Sequence, residues 1–169
     1  MIKNLNRSKV LILVIIVLYV AIMTFTAVNS KGFYHWDEHY QLIEFANYKL
    51  GNVSENDLPW EFKDQIRPAF QPFIAYVFIA FMQKIGVTSP FVIMMFLRLI
   101  TAFTTLLFII LAFKKISEKF DEKYKPYLLL LLTSLWFLPF VGVRFSSETW
   151  SGLMIGFSVI LLMGNRKNT

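Results

Sequence analysis

The sequence contains no cysteine among its 169 residues, and this absence excludes several kinds of protein. A disulfide scaffold, a thiolate metal site and a cysteine nucleophile are all impossible, whereas the redox compartment stays undetermined. Acidic residues are also few, with 11 Asp and Glu against 17 Lys and Arg. In contrast, 56% of the residues are hydrophobic and 18 are Phe. This composition predicts an all-α, multi-pass integral membrane protein.

The net charge of +6 is concentrated at the ends of apolar runs, as the positive-inside rule produces. Residues 1–9 carry basic side chains and no acids, and five lysines follow the run 90–113: Lys114, Lys115, Lys119, Lys123 and Lys125. The chain lacks the separate basic surface, interleaved with aromatics, that is typical of nucleic-acid binding. We therefore expect contact with membrane lipid and no nucleic-acid partner.

Four apolar runs are candidate transmembrane helices: 10–28, 90–113, 127–143 and 149–163. The first has about the twenty residues that a helix needs to cross hydrocarbon. A cleaved signal peptide is the alternative for this run, but the run is long for one and further apolar segments follow. We expect a single membrane domain over 1–169, with four spans and one large outer loop over 29–89.

The segment 68–85 decides the topology. Pro68 and Pro72 precede an apolar run of only about ten residues, which favours a re-entrant or interfacial helix over a span. If this segment does not cross, the lysine-rich loop lies on the cytoplasmic side with the N-terminus, as the positive-inside rule requires. We adopt that topology, with both termini cytoplasmic and the loop outside or lumenal.

The outer loop contains one long uninterrupted helical stretch. No Pro or Gly occurs from Asp37 to Leu50, and Gly51 stands where a helix would end. On an α-helix one polar face would carry Asp37, Gln41, Glu44 and Tyr48. A different, amphipathic face would carry Trp36, Tyr40 and Ile43. This pattern predicts a helix in the membrane interface, with its aromatic side chains toward the headgroups.

Adjacent acids at the start of this helix are the first catalytic candidates. A carboxylate at Asp37 or Glu38 can deprotonate an acceptor hydroxyl, especially if partial burial raises its pKa. The alternative is that both are solvated acids in the first turn of a helix, where the helix dipole favours them.

The run His35-Trp36-Asp37-Glu38-His39 also fits the H-x-x-E-H pattern of zinc hydrolases. Two histidines at i and i+4 can share a metal, with Glu38 as the base. A third ligand would have to come from elsewhere, and Glu44, Glu55 and Glu61 are available. A zinc hydrolase is therefore a second hypothesis. No cofactor is certain, and a divalent metal is possible.

Two arginines lie where apolar helices are expected. Arg98 falls in the outer third of a span and Arg144 at the outer end of the next, and charges in such places usually mark a functional site. Converging arginines suit a phosphate group. The alternatives are snorkelling of Arg144 to the interface and an ion pair of Arg98 with Glu148 or an outer-loop acid.

A longer pattern resembles a known family. The spacing His35-x-Asp37-Glu38-x-x-Gln41-x-x-Glu44 resembles the first-loop motif of the GPI and N-glycan mannosyltransferases, which are integral-membrane glycosyltransferases of the GT-C fold. The resemblance continues with Trp60-Glu61, then Ile66-Arg67 before a proline-containing helix, and ends with Arg144-x-x-Ser147-Glu148. Trp36 replaces the proline that is usual in the motif. Family members have more spans than the four expected here, so we expect either an N-terminal module of a longer chain or a small relative that needs a partner.

The resemblance implies a hexosyltransferase acting on a mannose-like sugar, usually with inversion. Its donor would be a polyprenyl- or dolichyl-phosphate sugar, its acceptor a glycan or lipid, and its membrane the bacterial plasma membrane or the endoplasmic reticulum. Asp37 would be the catalytic base or orient the acceptor, with Glu38 beside it. Residues expected to bind substrate or phosphate are Arg67, Arg98, Arg144, His35, Gln41 and Glu148. The remaining alternative is a small four-span protein that binds or moves polyprenyl-phosphate lipid, or scaffolds a partner, without catalysis.

Overall fold

The computed structural model describes residues 7–165, and within that range it contains helices and no strands. The α-helices are α1 (Arg7–Asn29), α2 (Glu44–Lys49), α3 (Trp60–Lys63), α4 (Phe70–Lys84), α5 (Pro90–Ser117), α6 (Lys125–Ser134), α7 (Leu138–Val141) and α8 (Ser147–Asn165). A π-helix over Glu38–Ile43 leads directly into α2, and a 3₁₀ turn over Glu55–Asp57 precedes α3. The all-helical prediction is confirmed for this part of the chain.

The chain divides into two compact units. The bundle unit takes its described residues from 7–29, 98–144 and 149–165. The loop unit consists of Ser30–Leu97 and Phe145–Glu148, and it contains nearly all of the predicted outer loop. Each unit is built from residues that are distant in the sequence.

Two helices are long and apolar enough to cross a membrane. They are α1, with 23 residues, and α5, with 28 residues, and they match the first two predicted spans. The apolar part of α8 is shorter, and α4 has only 15 residues. The expectation of four continuous spans is therefore not confirmed.

The predicted span over 127–143 is wrong as a single helix. Helix α6 ends at Ser134, Leu135 is extended with ψ 117°, and α7 begins at Leu138. Pro139 lies in the first turn of α7, where its missing N–H needs no partner. Inside a continuous helix the same residue would remove the hydrogen bond to the Leu135 carbonyl and its ring would clash with it. The helix breaks and restarts for this reason.

The core of the bundle unit forms around one stripe of α1. Ile15, Tyr19, Met23 and Ala27 recur every four residues and are buried, so they lie on one face of the helix. They share a cluster with residues from the later elements: Ala102, Ile109, Leu129 and Val143. The other faces of α1 are equally apolar but exposed, as expected for a helix that meets lipid.

Helices α5 and α8 run side by side in the same direction. The indole Nε1 of Trp150 donates a hydrogen bond to Thr101 Oγ1 at 3.1 Å. Further along both helices, the rings of Phe108 and Phe157 meet edge to face at 5.6 Å. Since the contacts advance together along both chains, the two helices are parallel. The C-terminal end of α5, which carries Lys114 and Lys115, therefore lies at the same end of the unit as the C-terminal end of α8.

One end of the bundle unit also holds the start of α1. The pKa of Glu122, in the loop between α5 and α6, is lowered by the hydrogen bond and charge of Lys125 and further by the charge of Lys9 in α1. The N-terminal helix therefore begins at the same end as the lysine-rich loop. This agrees with the expected placement of both on one side of the membrane, although which side stays a prediction.

The loop unit is built by packing the π-helix and α2 against α4. The α2 helix ends at Lys49, and Gly51 follows with φ +76°, as the sequence predicts. The expected grouping of Trp36, Tyr40 and Ile43 on one face is wrong, because Ile43 is buried while the two aromatic side chains are exposed. A π-helix has more residues per turn than an α-helix, so it rotates Ile43 away from them.

Candidate active site

The π-helix gives the two adjacent acids different surroundings. Glu38 is buried, its backbone N–H donates to the His35 carbonyl at 3.1 Å, and its Oε2 accepts from the backbone N–H of Tyr34 at 3.3 Å. Asp37 precedes the π-helix, and its side chain is 35% exposed. Glu38 therefore holds the turn that starts the helix, whereas the Asp37 carboxylate is open to a substrate.

Asp37 and three other polar side chains form one connected network. Arg67 Nη2 lies 4.0 Å from Asp37 Oδ2 and 3.6 Å from Glu61 Oε1. The same Glu61 oxygen accepts a hydrogen bond from Gln41 Nε2 at 3.1 Å. The structure thus brings together Asp37, Gln41 and Arg67, which were predicted as site residues from sequence. The distances from Arg67 exceed hydrogen-bond length, so its guanidinium acts on both carboxylates mainly through charge.

His35 stands beside this network in a defined tautomer. Its Nδ1 accepts a hydrogen bond from the Asp37 backbone N–H at 3.4 Å, so the proton of the neutral ring is assigned to Nε2. The contact of 3.7 Å between Nδ1 and Asp37 Oδ2 is too long for a hydrogen bond, and an acceptor nitrogen has no proton to share in it. His35 therefore orients the backbone at Asp37 through Nδ1, and its side chain is largely exposed.

The geometry does not favour the zinc-hydrolase hypothesis. His39 Nε2 pairs with Glu44 Oε1 at 3.0 Å, and the ring stacks on Phe33 with centroids 5.1 Å apart. The π-helix changes the i, i+4 spacing on which a shared metal depends. Among residues 7–165, no three His, Asp or Glu side chains are grouped as metal ligands. Two other carboxylates of the loop unit, Asp37 and Glu61, both lie within 4.0 Å of Arg67, whose charge opposes binding of a divalent cation there.

The remaining predicted site residues lie elsewhere in the chain. Arg98 and Arg144 belong to the bundle unit, and both are buried, with 3% and 8% exposure. The Arg144 guanidinium lies 4.5 Å above the ring of Phe140, a cation–π contact. Glu148 is exposed in the first turn of α8, where the helix dipole favours an acid. Convergence of these residues with Asp37 stays a prediction.

Glu61 is the site residue that was not among the predicted site residues. It joins Gln41 to Arg67, and its side chain is only 13% exposed. Its charge alone does not distinguish it from the other loop acids. The only sequence signal was its place after Trp60, in the pair that resembles the mannosyltransferases.

Together these groups suit proton transfer. A carboxylate that is partly exposed, next to a fixed cation and anchored on a helix start, can accept the proton of a bound hydroxyl. The neutralising charge of Arg67 allows Asp37 and Glu61 to stand near each other.

Comparison with protein families identifies the chain. The family model described as the Alg9-like mannosyltransferase family matches residues 12–168, which is nearly the entire sequence. Comparisons with curated proteins and with solved structures give no match. The family is membrane-embedded, which agrees with the two long apolar helices. The chain therefore belongs to the Alg9-like mannosyltransferase family, a group of glycosyltransferases of the GT-C type.

Proposed function

We propose that this protein transfers a mannose-like hexose from a polyprenyl- or dolichyl-phosphate sugar to an acceptor hydroxyl at the outer or lumenal face of its membrane. The acceptor is a glycan or a glycolipid. The observation that carries this proposal is the partly exposed Asp37 carboxylate beside Arg67, in a chain of the mannosyltransferase family.

In the proposed reaction Asp37 is the general base. It accepts the proton of the acceptor hydroxyl while the acceptor oxygen forms a bond to C1 of the donor hexose. The bond between C1 and the phosphate oxygen breaks, and its electron pair stays on the lipid phosphate. Attack from the face opposite the phosphate inverts the anomeric centre. Glu38 is a positioning residue, because its carboxylate holds the Tyr34 backbone N–H.

The leaving phosphate needs positive charge as it departs. Arg98 and Arg144 are the candidates, because both are buried, where a cation interacts more strongly with an anion than it does in water. Arg67 is already placed at Asp37 and Glu61, so its proposed part is to orient the base. The proposal requires the two buried arginines and Asp37 to face the same compartment.

The test is transfer of labelled mannose from a mannosyl-phosphoryl-polyprenol by the protein, expressed in membranes from its complete reading frame. Asp37→Asn keeps the shape but removes the base, and we expect it to lower kcat by about 10²- to 10⁴-fold. The matched control is Asp57→Asn, since Asp57 is an exposed acid of the same unit outside the network. Full activity of Asp37→Asn, at equal expression and thermal midpoint, would end the assignment of Asp37 as base.

A further inference from the structure

A second feature of the loop unit is an open cavity of about 480 Å³ lined by residues of α2, α3, α4 and the segment between α3 and α4. Five of the eleven residues that line it are aromatic: Phe45, Tyr48, Phe62, Phe73 and Tyr76. Its volume falls within the range of small-molecule sites, which are usually apolar with a few placed polar groups. None of these aromatic residues has a part in the proton transfer described above.

The aromatic rings are held at fixed angles to one another. Phe62 meets Phe45 edge to face at 5.1 Å and Tyr48 at 5.0 Å. Edge-to-face packing is a favourable arrangement and fixes the ring planes. The cavity therefore presents pre-formed ring faces, to which the C–H face of a sugar ring can pack.

Polar groups join this cavity to the candidate active site. Glu61 and Arg67 both line the cavity, and Arg67 Nη2 is also the atom that lies 4.0 Å from Asp37 Oδ2. A molecule seated among the aromatic rings therefore meets the Asp37 network at the cavity edge. Its polar groups would find one anionic and one cationic partner there.

The backbone of one lining residue has an unusual conformation. Gln65 has φ +52°, the only positive φ of a non-glycine residue among those described. Residues other than glycine rarely adopt this left-handed backbone conformation, and such positions cluster at ligand sites. Gln65 is therefore a lining residue whose backbone conformation is held by the structure around it.

We propose that this cavity binds the sugar ring of the acceptor, a hexopyranose whose attacking hydroxyl reaches Asp37 past Arg67. This inference rests on the proposed transferase function. A lipid tail suits the cavity less well, because it would desolvate the Glu61 and Arg67 charges without hydrogen-bonding to them. A sugar instead offers hydroxyls to both charged groups and its C–H faces to the rings. The acceptor, rather than the donor, is assigned here because Asp37 must receive the proton of the acceptor hydroxyl.

The test is direct binding of methyl α-D-mannopyranoside to the purified full protein, measured by saturation-transfer difference NMR. We expect Tyr76→Ala to weaken binding about tenfold or more and to raise the acceptor KM equally, with the donor KM unchanged. The matched control is Phe81→Ala, because Phe81 lies on the same helix, is exposed, and does not line the cavity. Tyr76→Phe keeps the ring and is expected to bind like the wild type, which separates a lost contact from a lost fold.

Two outcomes would overturn the inference. One is unchanged sugar binding in Tyr76→Ala. The other is loss of the sugar signal on adding farnesyl phosphate but not a disaccharide of mannose, which would assign the cavity to the lipid tail. The Asp37→Asn variant separates the two proposals, because it is expected to bind the sugar normally while losing transfer. An active Asp37→Asn with normal sugar binding would contradict the proposed base and leave the acceptor cavity standing.

Discussion

The guanidinium of Arg67 lies 4.0 Å from the carboxylate of Asp37, without a direct hydrogen bond between them. A closer bidentate pair would occupy both oxygens of the carboxylate. At the observed distance the positive charge of Arg67 attracts the Asp37 carboxylate, and the carboxylate oxygens stay accessible to a hydroxyl. Because Arg67 also faces Glu61 at 3.6 Å, one cation serves two carboxylates.

We expect substitution of Arg67 to distinguish charge from shape at this site. Arg67→Gln leaves two neighbouring carboxylates without their cation, and kcat/KM should fall by roughly 10- to 100-fold, equivalent to about 1.4 to 2.7 kcal/mol. Arg67→Lys should retain part of the activity, because a lysine keeps the charge but lacks the planar fork. The measurement is mannose transfer at several acceptor concentrations. Lys63→Gln, an exposed cation of α3, is the control, and equal losses in both variants would contradict the assignment.

Replacing Gln65 by glycine is expected to weaken acceptor binding without lowering stability. A left-handed conformation costs a residue with a side chain about 1–2 kcal/mol, which Gly avoids, although Gly also raises the entropy of the unfolded chain. Gln65→Gly should therefore leave the thermal midpoint unchanged or raise it, while the acceptor KM rises because the amide is lost. Its neighbour Asp64 has an ordinary φ of −82°, so Asp64→Gly should lower the midpoint. A destabilised Gln65→Gly with a normal KM would contradict this account.

The fold shows where sequence patterns are sufficient. Helices α1 and α5 could be predicted from length and apolar composition, because an apolar run of about twenty residues is the length at which a helix crosses hydrocarbon. The break between α6 and α7 could not, since Leu135 and its neighbours are as apolar as a continuous span would be. Pro139 was the local signal, and a proline in an apolar run is also compatible with a kinked helix. Whether the helix kinks or breaks depends on which backbone carbonyl groups find hydrogen-bond partners in the folded chain.

The candidate site shows the same division. Asp37 and Gln41 could be paired from their spacing, because residues four apart share a helix face. The π-helix that carries Gln41 has no sequence signature, and neither does the packing that brings Glu61 to it. Arg67 could be nominated from the resemblance, but its place between two acids depends on tertiary structure.

The pair Gly152 and Gly156 is expected to respond unequally to the same change. Their GxxxG spacing permits close helix approach, yet only Gly156 is in close contact, because a Cβ there would overlap the ring of Phe108. A Cβ on Gly152 meets nothing within 4 Å of it. Gly152→Ala should be neutral or stabilising by up to about 1 kcal/mol, from helix propensity. Gly156→Ala should destabilise by about 1–3 kcal/mol from overpacking, and Phe108→Leu in the same chain should restore part of the loss. Thermal midpoints in detergent measure all three, and equal effects of the two alanines would contradict the contact.

The last carbonyl groups of α7 have no further helical turn to bond to, so side chains must satisfy them. Thr105 Oγ1 donates to the Gly142 carbonyl at 2.7 Å, and Thr149 Oγ1 donates to that of Val141 at 3.1 Å. Thr105→Val nearly preserves shape but leaves the Gly142 carbonyl without this donor. We expect it to lower the free energy of unfolding by about 0.6 to 1.7 kcal/mol.

Thr104→Val is the matched control for this prediction. Thr104 is the preceding residue and is exposed, and its hydroxyl donates to the Ile100 carbonyl of the same helix at 2.9 Å. That carbonyl is already within the hydrogen-bond ladder of α5, so losing the hydroxyl should change stability by only a few tenths of a kcal/mol. Unfolding in mixed micelles at increasing SDS fraction would measure both variants. If Thr105→Val is as stable as Thr104→Val, the C-terminal end of α7 is held by the backbone alone, and the hydroxyl has no part in maintaining it.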